Sequence, residues 1–92
     1  GHAGETKSLA YQAMNAAKGG KFDEAEEFMK KSTEEMLKAH ELQTDLIVRE
    51  AGGEKMEVGL IMVHSQDHLM TAILFKELAK EFIEVYKRLE QK

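Results

Sequence analysis

One apolar stripe runs the length of the last third of this chain and is interrupted by a single carboxylate. At 100° per residue, Leu60, Val63, Asp67, Met70, Thr71, Leu74, Leu78, Phe82, Val85 and Leu89 fall on one side of a helix, with His64 and Phe75 on its shoulder. A period of this kind fits no strand and demands a helix packed along that side. A charge on a packing stripe is costly unless it is paired, metal-bound or neutralised. With His64 as i, Asp67 is i+3 and His68 is i+4, so two imidazoles and the carboxylate share one turn. Function is to be sought there.

The rest of the chain also reads as helix. Glu5 to about Lys18 carries Leu9, Ala10, Ala13, Met14 and Ala17, good helix formers with a modest apolar side. Gly19-Gly20 ends that segment as a C-cap signal. Asp23 is the predicted N-cap of the second helix, with Glu26 completing a capping-box pattern and Phe22 placed to staple onto Phe28. From Asp23 to about Glu50, the positions Ala25, Phe28, Met29, Met36, Ala39, Leu42, Leu46 and Ile47 form an apolar face. Ala51-Gly52-Gly53 breaks it, and Glu54 to Glu57 reads as a polar connector around Met56. No Pro interrupts any segment, and short connections make neighbours antiparallel. The fold class is therefore all-α, an up-down-up three-helix bundle. It forms a single domain over 1–92 with helices about 5–18, 23–50 and 58–90.

Three such helices make a thin core, and domains of this size often need a metal or oligomerisation. Leu60, Ile61, Met62 and Val63 point in every direction, and Leu69 and Ile73 lie opposite the main stripe. The second half of the third helix reads as amphipathic, with Lys76, Lys80, Glu84 and Lys87 outside. A helix apolar all round is buried all round. Self-association along the third helix, near His64, is the expectation.

Composition narrows the chemistry. There is no Cys, which removes a thiol nucleophile, a disulfide scaffold and a Cys-type zinc site and fits a reducing compartment. The net charge of −4, with 17 acidic and 13 basic side chains interspersed, leaves no basic stripe for nucleic acid. Runs such as Leu60 to Val63 are too short to span a bilayer and no signal peptide is read, so a soluble, cytoplasmic protein without membrane insertion is expected.

His64, Asp67 and His68 admit several readings. They can be core or interface groups with satisfied hydrogen bonds, as in a scaffold or adaptor bundle. Histidines at i and i+4 also bind zinc on helices, although a zincin-like hydrolase needs Glu where Ser65 stands, and His40 or a symmetry mate would have to complete the ligands. A Ser-His triad is weaker, since adjacent Ser65 and His64 point apart. A third possibility is a histidine that carries a phosphoryl group on a ring nitrogen, nucleophilic near neutrality. That task needs no large pocket or glycine-rich nucleotide loop.

The run Val63-His64-Ser65-Gln66-Asp67-His68-Leu69-Met70-Thr71 closely resembles the signature of the lactose/cellobiose/chitobiose-type enzyme IIA of the bacterial sugar phosphotransferase system. So do Lys38-Ala39-His40-Glu41-Leu42-Gln43-Thr44-Asp45-Leu46-Ile47 and the turn Glu50-Ala51-Gly52-Gly53-Glu54. The similarity extends from about Ser8-Leu9-Ala10-Tyr11 to Tyr86, in order and in register. It implies a homotrimer of three-helix subunits. His64 would be phosphorylated by the phosphocarrier HPr and would pass the group to a cysteine of the matching enzyme IIB for disaccharide uptake. The resemblance also places Asp67 near a threefold axis, where three carboxylates share a divalent cation, Mg2+ being the expected one. Like charges crowded at an axis need a counterion or protons, and oxygen ligands suit such an ion.

Among the neighbours, His68 is one turn from His64 and is placed to donate to a phosphoryl oxygen or orient the ring. Gln66 lies about 200° around the helix from His64, so it would act across a subunit boundary. Gln43 and Thr44 are expected to line the same cleft as donors, His40 to pack structurally. Exposed Ile61, Met62 and Met70 are expected to receive both protein partners. The chain opens at Gly1-His2-Ala3-Gly4 without Met, and the resemblance implies a first helix that starts further upstream.

Overall fold

The computed structural model describes residues 1–91, so Lys92 of the expected domain lies outside the described residues. Three helices make up the fold: α1 (His2–Lys18), α2 (Phe22–Ala51) and α3 (Leu60–Glu90). There is no strand among the described residues. Gly20, at φ 80°, takes the chain out of α1 in a backbone conformation that a side chain would strain.

Helix boundaries differ from expectation for local reasons. α1 begins at His2 rather than Glu5, because the Thr6 hydroxyl donates to the His2 carbonyl at 2.8 Å and the Glu5 amide to Gly1 at 3.1 Å. Those bonds hold the first turn despite Gly4, which costs about 1 kcal/mol relative to Ala inside a helix. α2 opens at Phe22, with Lys21 at the N-cap position and no side-chain cap. Phe22 is drawn against the cluster of Ala13, Ala17, Ala25 and Ile83. Asp23 therefore sits inside the first turn, where the helix dipole still favours its charge. α3 starts at Leu60 instead of Val58, since Gly59 is extended.

The helices run up, down and up, so α1 and α3 are parallel. Ser32 Oγ donates to the Thr6 carbonyl at 2.8 Å and joins α2 to α1, while Lys87 reaches Glu26 at 3.5 Å across α2 and α3. Tyr11 of α1 stacks on Phe75 of α3 with ring centroids 6.4 Å apart. The resulting rod measures 57 × 20 × 17 Å, with a radius of gyration of 16.1 Å. A compact chain of this length would have about 12 Å. Elongation leaves little interior.

That interior is built of small residues. Six of the nine buried apolar residues are alanines, Ala10, Ala13, Ala17, Ala25, Ala72 and Ala79; Leu9, Leu69 and Ile83 complete the set. Alanine faces let helix backbones approach closely, and the seam has no room for bulk.

This reverses the expected orientation of α3. The stripe of Val63, Met70, Leu74, Leu78, Phe82, Val85 and Leu89 faces outward, each side chain more than half exposed. The inner face is Leu69, Ala72, Lys76, Ala79 and Ile83. Lys76, expected outside, is only 8% exposed, while Lys80, Glu84 and Lys87 line the groove toward α2. The small side chains of Ala72 and Ala79 fit the alanine seam and the bulky stripe does not. Lys76 tolerates burial by laying its methylene stem along the seam and carrying its ammonium into that groove. Among the described residues, no helix is long and apolar enough to cross a membrane.

Candidate functional site

The first turns of α3 bring the motif to the end of the rod where α1 begins. His64 is exposed and His68 half-buried. Their i, i+4 spacing puts the rings side by side, centroids 6.1 Å apart and planes within 2° of parallel. The parallel course of α1 and α3 brings two α1 residues onto His68. Lys7 Nζ lies 3.3 Å from His68 Nδ1. A Cβ at Gly4 would stand 3.5 Å from Nε2.

From α2, Gln43 donates its amide N–H to the side-chain oxygen of Gln66. Gln66 is thus engaged within its own chain, not across a boundary as expected, because α2 covers that side of α3. Gln43, Gln66, His64, His68 and Leu69 line a cleft of about 380 Å³. Helix α2 supplies its apolar wall through Leu42 and Leu46.

Thr44, His40 and Asp67 stand outside this cleft. Thr44 is exposed and lines a separate groove with Lys38, Glu41 and Asp45, since one residue past Gln43 turns the side chain about 100° away. His40 is exposed rather than packed, because it lies on the side of α2 turned away from α1 and α3. Asp67 points outward beside the bare stripe, with no hydrogen bond or ion pair among the described residues. Among the described residues, no group of three His, Cys, Asp or Glu comes together within one chain to hold a metal ion.

Lys7, Gly4 and His2 were not singled out by sequence. Nothing local marks them, since only the register of α1 against α3 and α2 brings them here. His2 Nδ1 meets Glu35 Oε2 at 2.6 Å, tying the first turn of α1 to α2. The hydrogen bond from His2, followed by that from Lys38 at 3.2 Å, holds the Glu35 carboxyl below the usual carboxylate range.

An exposed imidazole, a second one held parallel to it and a row of amide donors make a site suited to carrying a small anionic group. Comparisons with known proteins identify the family. Residues 1–87 match the family described as PTS system, Lactose/Cellobiose specific IIA subunit. The chain is 48% identical over 90 residues to the lichenan-specific phosphotransferase enzyme IIA component of Bacillus subtilis (strain 168), covering 98% of this chain and 82% of that one. The crystal structure of the cellobiose-specific enzyme IIA from Bacillus anthracis superposes with a TM-score of 0.97 at 50% identity, over 99% of this chain and 84% of that one. The chitobiose IIA protein of Escherichia coli, solved in solution as a complex with HPr, gives a TM-score of 0.84 at 44% identity, over 97% and 86% of the two chains. The chain belongs to the lactose/cellobiose-specific IIA family and is a phosphotransferase component of the phosphotransferase system.

Proposed function

We propose that His64 is the phosphoryl carrier of a sugar phosphotransferase system, loaded by phosphorylated HPr and discharged to a cysteine of the cognate enzyme IIB. A ring nitrogen of His64 attacks phosphorus, so that a new P–N bond forms as the P–N bond of the donor histidine breaks. The enzyme IIB thiolate then attacks the same phosphorus, forming P–S and returning the electron pair to His64. The observation that carries this reading is the exposure of His64 beside the parallel ring of His68. An exposed carrier is reachable by two successive protein partners, and the relative solved with HPr supports the first of them. His68, Gln66 and Gln43 supply donors for the phosphoryl oxygens.

Self-association into a homotrimer is part of the same reading. Fully burying one large aliphatic or aromatic side chain contributes about 1.5–3 kcal/mol, and the outer stripe of α3 offers a row of them. Asp67 lies on that stripe, so copies meeting there bring their carboxylates together. Carboxylate oxygens suit a hard divalent cation such as Mg2+, which would supply the counter-charge. No such set comes together within one chain among the described residues, so on this reading the ion would be held by the assembly. Ile61, Met62 and Met70 lie around the His64 end and supply an apolar rim for docking partners.

Incubation with enzyme I, HPr and phosphoenolpyruvate, followed by mass spectrometry of the intact chain, tests the proposal. One acid-labile phosphoryl group on the wild type and none on His64→Ala is the expected result. Labelling that persists in His64→Ala would sink it.

A further inference from the structure

We infer that Lys7 is a positioning residue of this phosphoryl site, acting through His68 by fixing which ring nitrogen of that histidine carries its proton. The inference rests on the carrier reading of His64. Lys7 and His68 are 61 residues apart and meet only because α1 and α3 run parallel, with Nζ 3.3 Å from Nδ1. An ammonium has donors and no acceptor. The contact therefore requires a lone pair on Nδ1, and the ring proton sits on Nε2.

The other edge of the ring is treated differently. Nε2 lies beside Gly4, where a Cβ would stand 3.5 Å away in ordinary van der Waals contact, so no polar group of α1 competes for its proton. One nitrogen is thus held by a cation and the other is left free to donate. The distinction matters beside a phosphoryl group. An Nε2–H offers a hydrogen bond to a phosphoryl oxygen, whereas the opposite tautomer would turn a lone pair toward it. Lys7 and His68 are both half-buried, and a charge-assisted bond sheltered from water fixes geometry better than an exposed one. Lys7 also adds a positive charge one residue layer behind the carrier, where developing negative charge is stabilised.

The test uses the whole chain with 15N-labelled histidine. Long-range proton–nitrogen correlations are recorded without any phosphoryl donor, on wild type, Lys7→Met and Lys7→Arg. His68 is expected as Nε2–H in the wild type and in Lys7→Arg, with the tautomer ratio moving about tenfold toward Nδ1–H in Lys7→Met, as loss of a hydrogen bond to a charged group implies. Transfer from phosphorylated HPr should slow about tenfold in Lys7→Met and recover in Lys7→Arg. Lys7→Met keeps the aliphatic stem, so an unchanged far-ultraviolet dichroism spectrum is expected. A merely structural lysine would leave the His68 nitrogen shifts unmoved, and that result overturns the inference. An altered tautomer with an unaltered transfer rate overturns it too. Failure of the wild type to be labelled at all instead removes the carrier reading of His64, while the nitrogen spectra still report on Lys7 and His68.

Discussion

His64 and His68 hold their rings within 2° of parallel at a centroid distance of 6.1 Å, the first exposed and the second anchored against α1. Identical side chains one turn apart thus occupy unlike environments. The free ring is suited to attack and the anchored one to steady what the first receives. His64→Ala should abolish labelling while leaving thermal stability within about 0.5 kcal/mol, as for an exposed residue. His68→Ala should retain labelling but slow it about 100-fold, the scale of losing one preorganised donor. Rapid-quench transfer from phosphorylated HPr measures both.

Leu78 is more than half exposed in the middle of the outer stripe. Leu78→Glu should leave the chain helical, because the alanine seam does not involve that position. It should also shift sedimentation at micromolar concentration from trimer toward monomer, since one carboxylate per copy would have to be buried. An unchanged sedimentation profile would place the association surface elsewhere.

Asp67→Asn separates assembly from chemistry. On the proposed assembly, the amide removes the charge that would call for a cation and leaves His64 untouched. Chelation by EDTA should weaken the proposed wild-type trimer and have no effect on Asp67→Asn, with His64 labelled in both. Calorimetry with and without Mg2+ reads the difference as a loss of cation-dependent stabilisation.

The buried Ser32 hydroxyl is the clearest stability test. It donates to the Thr6 carbonyl at 2.8 Å where both residues are fully buried between α1 and α2. Ser32→Ala should cost about 1 kcal/mol, the net value of one intramolecular hydrogen bond. Ser32→Leu should cost more, about 1–3 kcal/mol, by forcing the helices apart. Urea titration monitored at 222 nm, the far-ultraviolet helix signal, ranks the two; a less harmful leucine would contradict tight packing there.

The turn after α2 is clasped by Arg49 and Glu54, whose Nη2 and Oε1 atoms lie 2.7 Å apart. Hydrogen bonding from Arg49 holds the Glu54 carboxyl below its ordinary value, and the same bond raises Arg49. For a carboxyl lowered on folding, the stabilisation is complete above the unfolded value and is lost as pH falls through the folded one. The Arg49 contribution fades only far into the alkaline range. The clasp should therefore hold at neutral pH and open only on acidification below the ordinary carboxylate range. Carbon-detected titration should show Glu54 returning to an ordinary carboxylate in Arg49→Gln.

Three helices, their order and the motif were legible because glycine pairs and a 3.6-residue period are local signals. The inward side of α3 was not. Two faces of that helix are apolar, and periodicity alone favoured the bulkier one, Leu74–Leu78–Phe82–Val85. Ala72 and Ala79 carry weak hydropathy but win the interior because the opposing alanines of α1 leave no depth. Burial of Lys76 follows from the same geometry. At the site, His64, His68, Gln43 and Gln66 were readable from two segments. Thr44 was placed there with Gln43 by the resemblance of their shared segment, but helical rotation turns it into a neighbouring groove. Lys7 and Gly4 emerge only from inter-helix register, a long-range property that no window of sequence contains.

The alanine seam also bears on how such a molecule comes to be stable. Many of its bulky side chains stay more than half exposed in a lone polypeptide, so its collapse releases little solvent from nonpolar surface. Its melting behaviour should accordingly track the abundance of its fellow copies, and thinning the solution alone should loosen the helices.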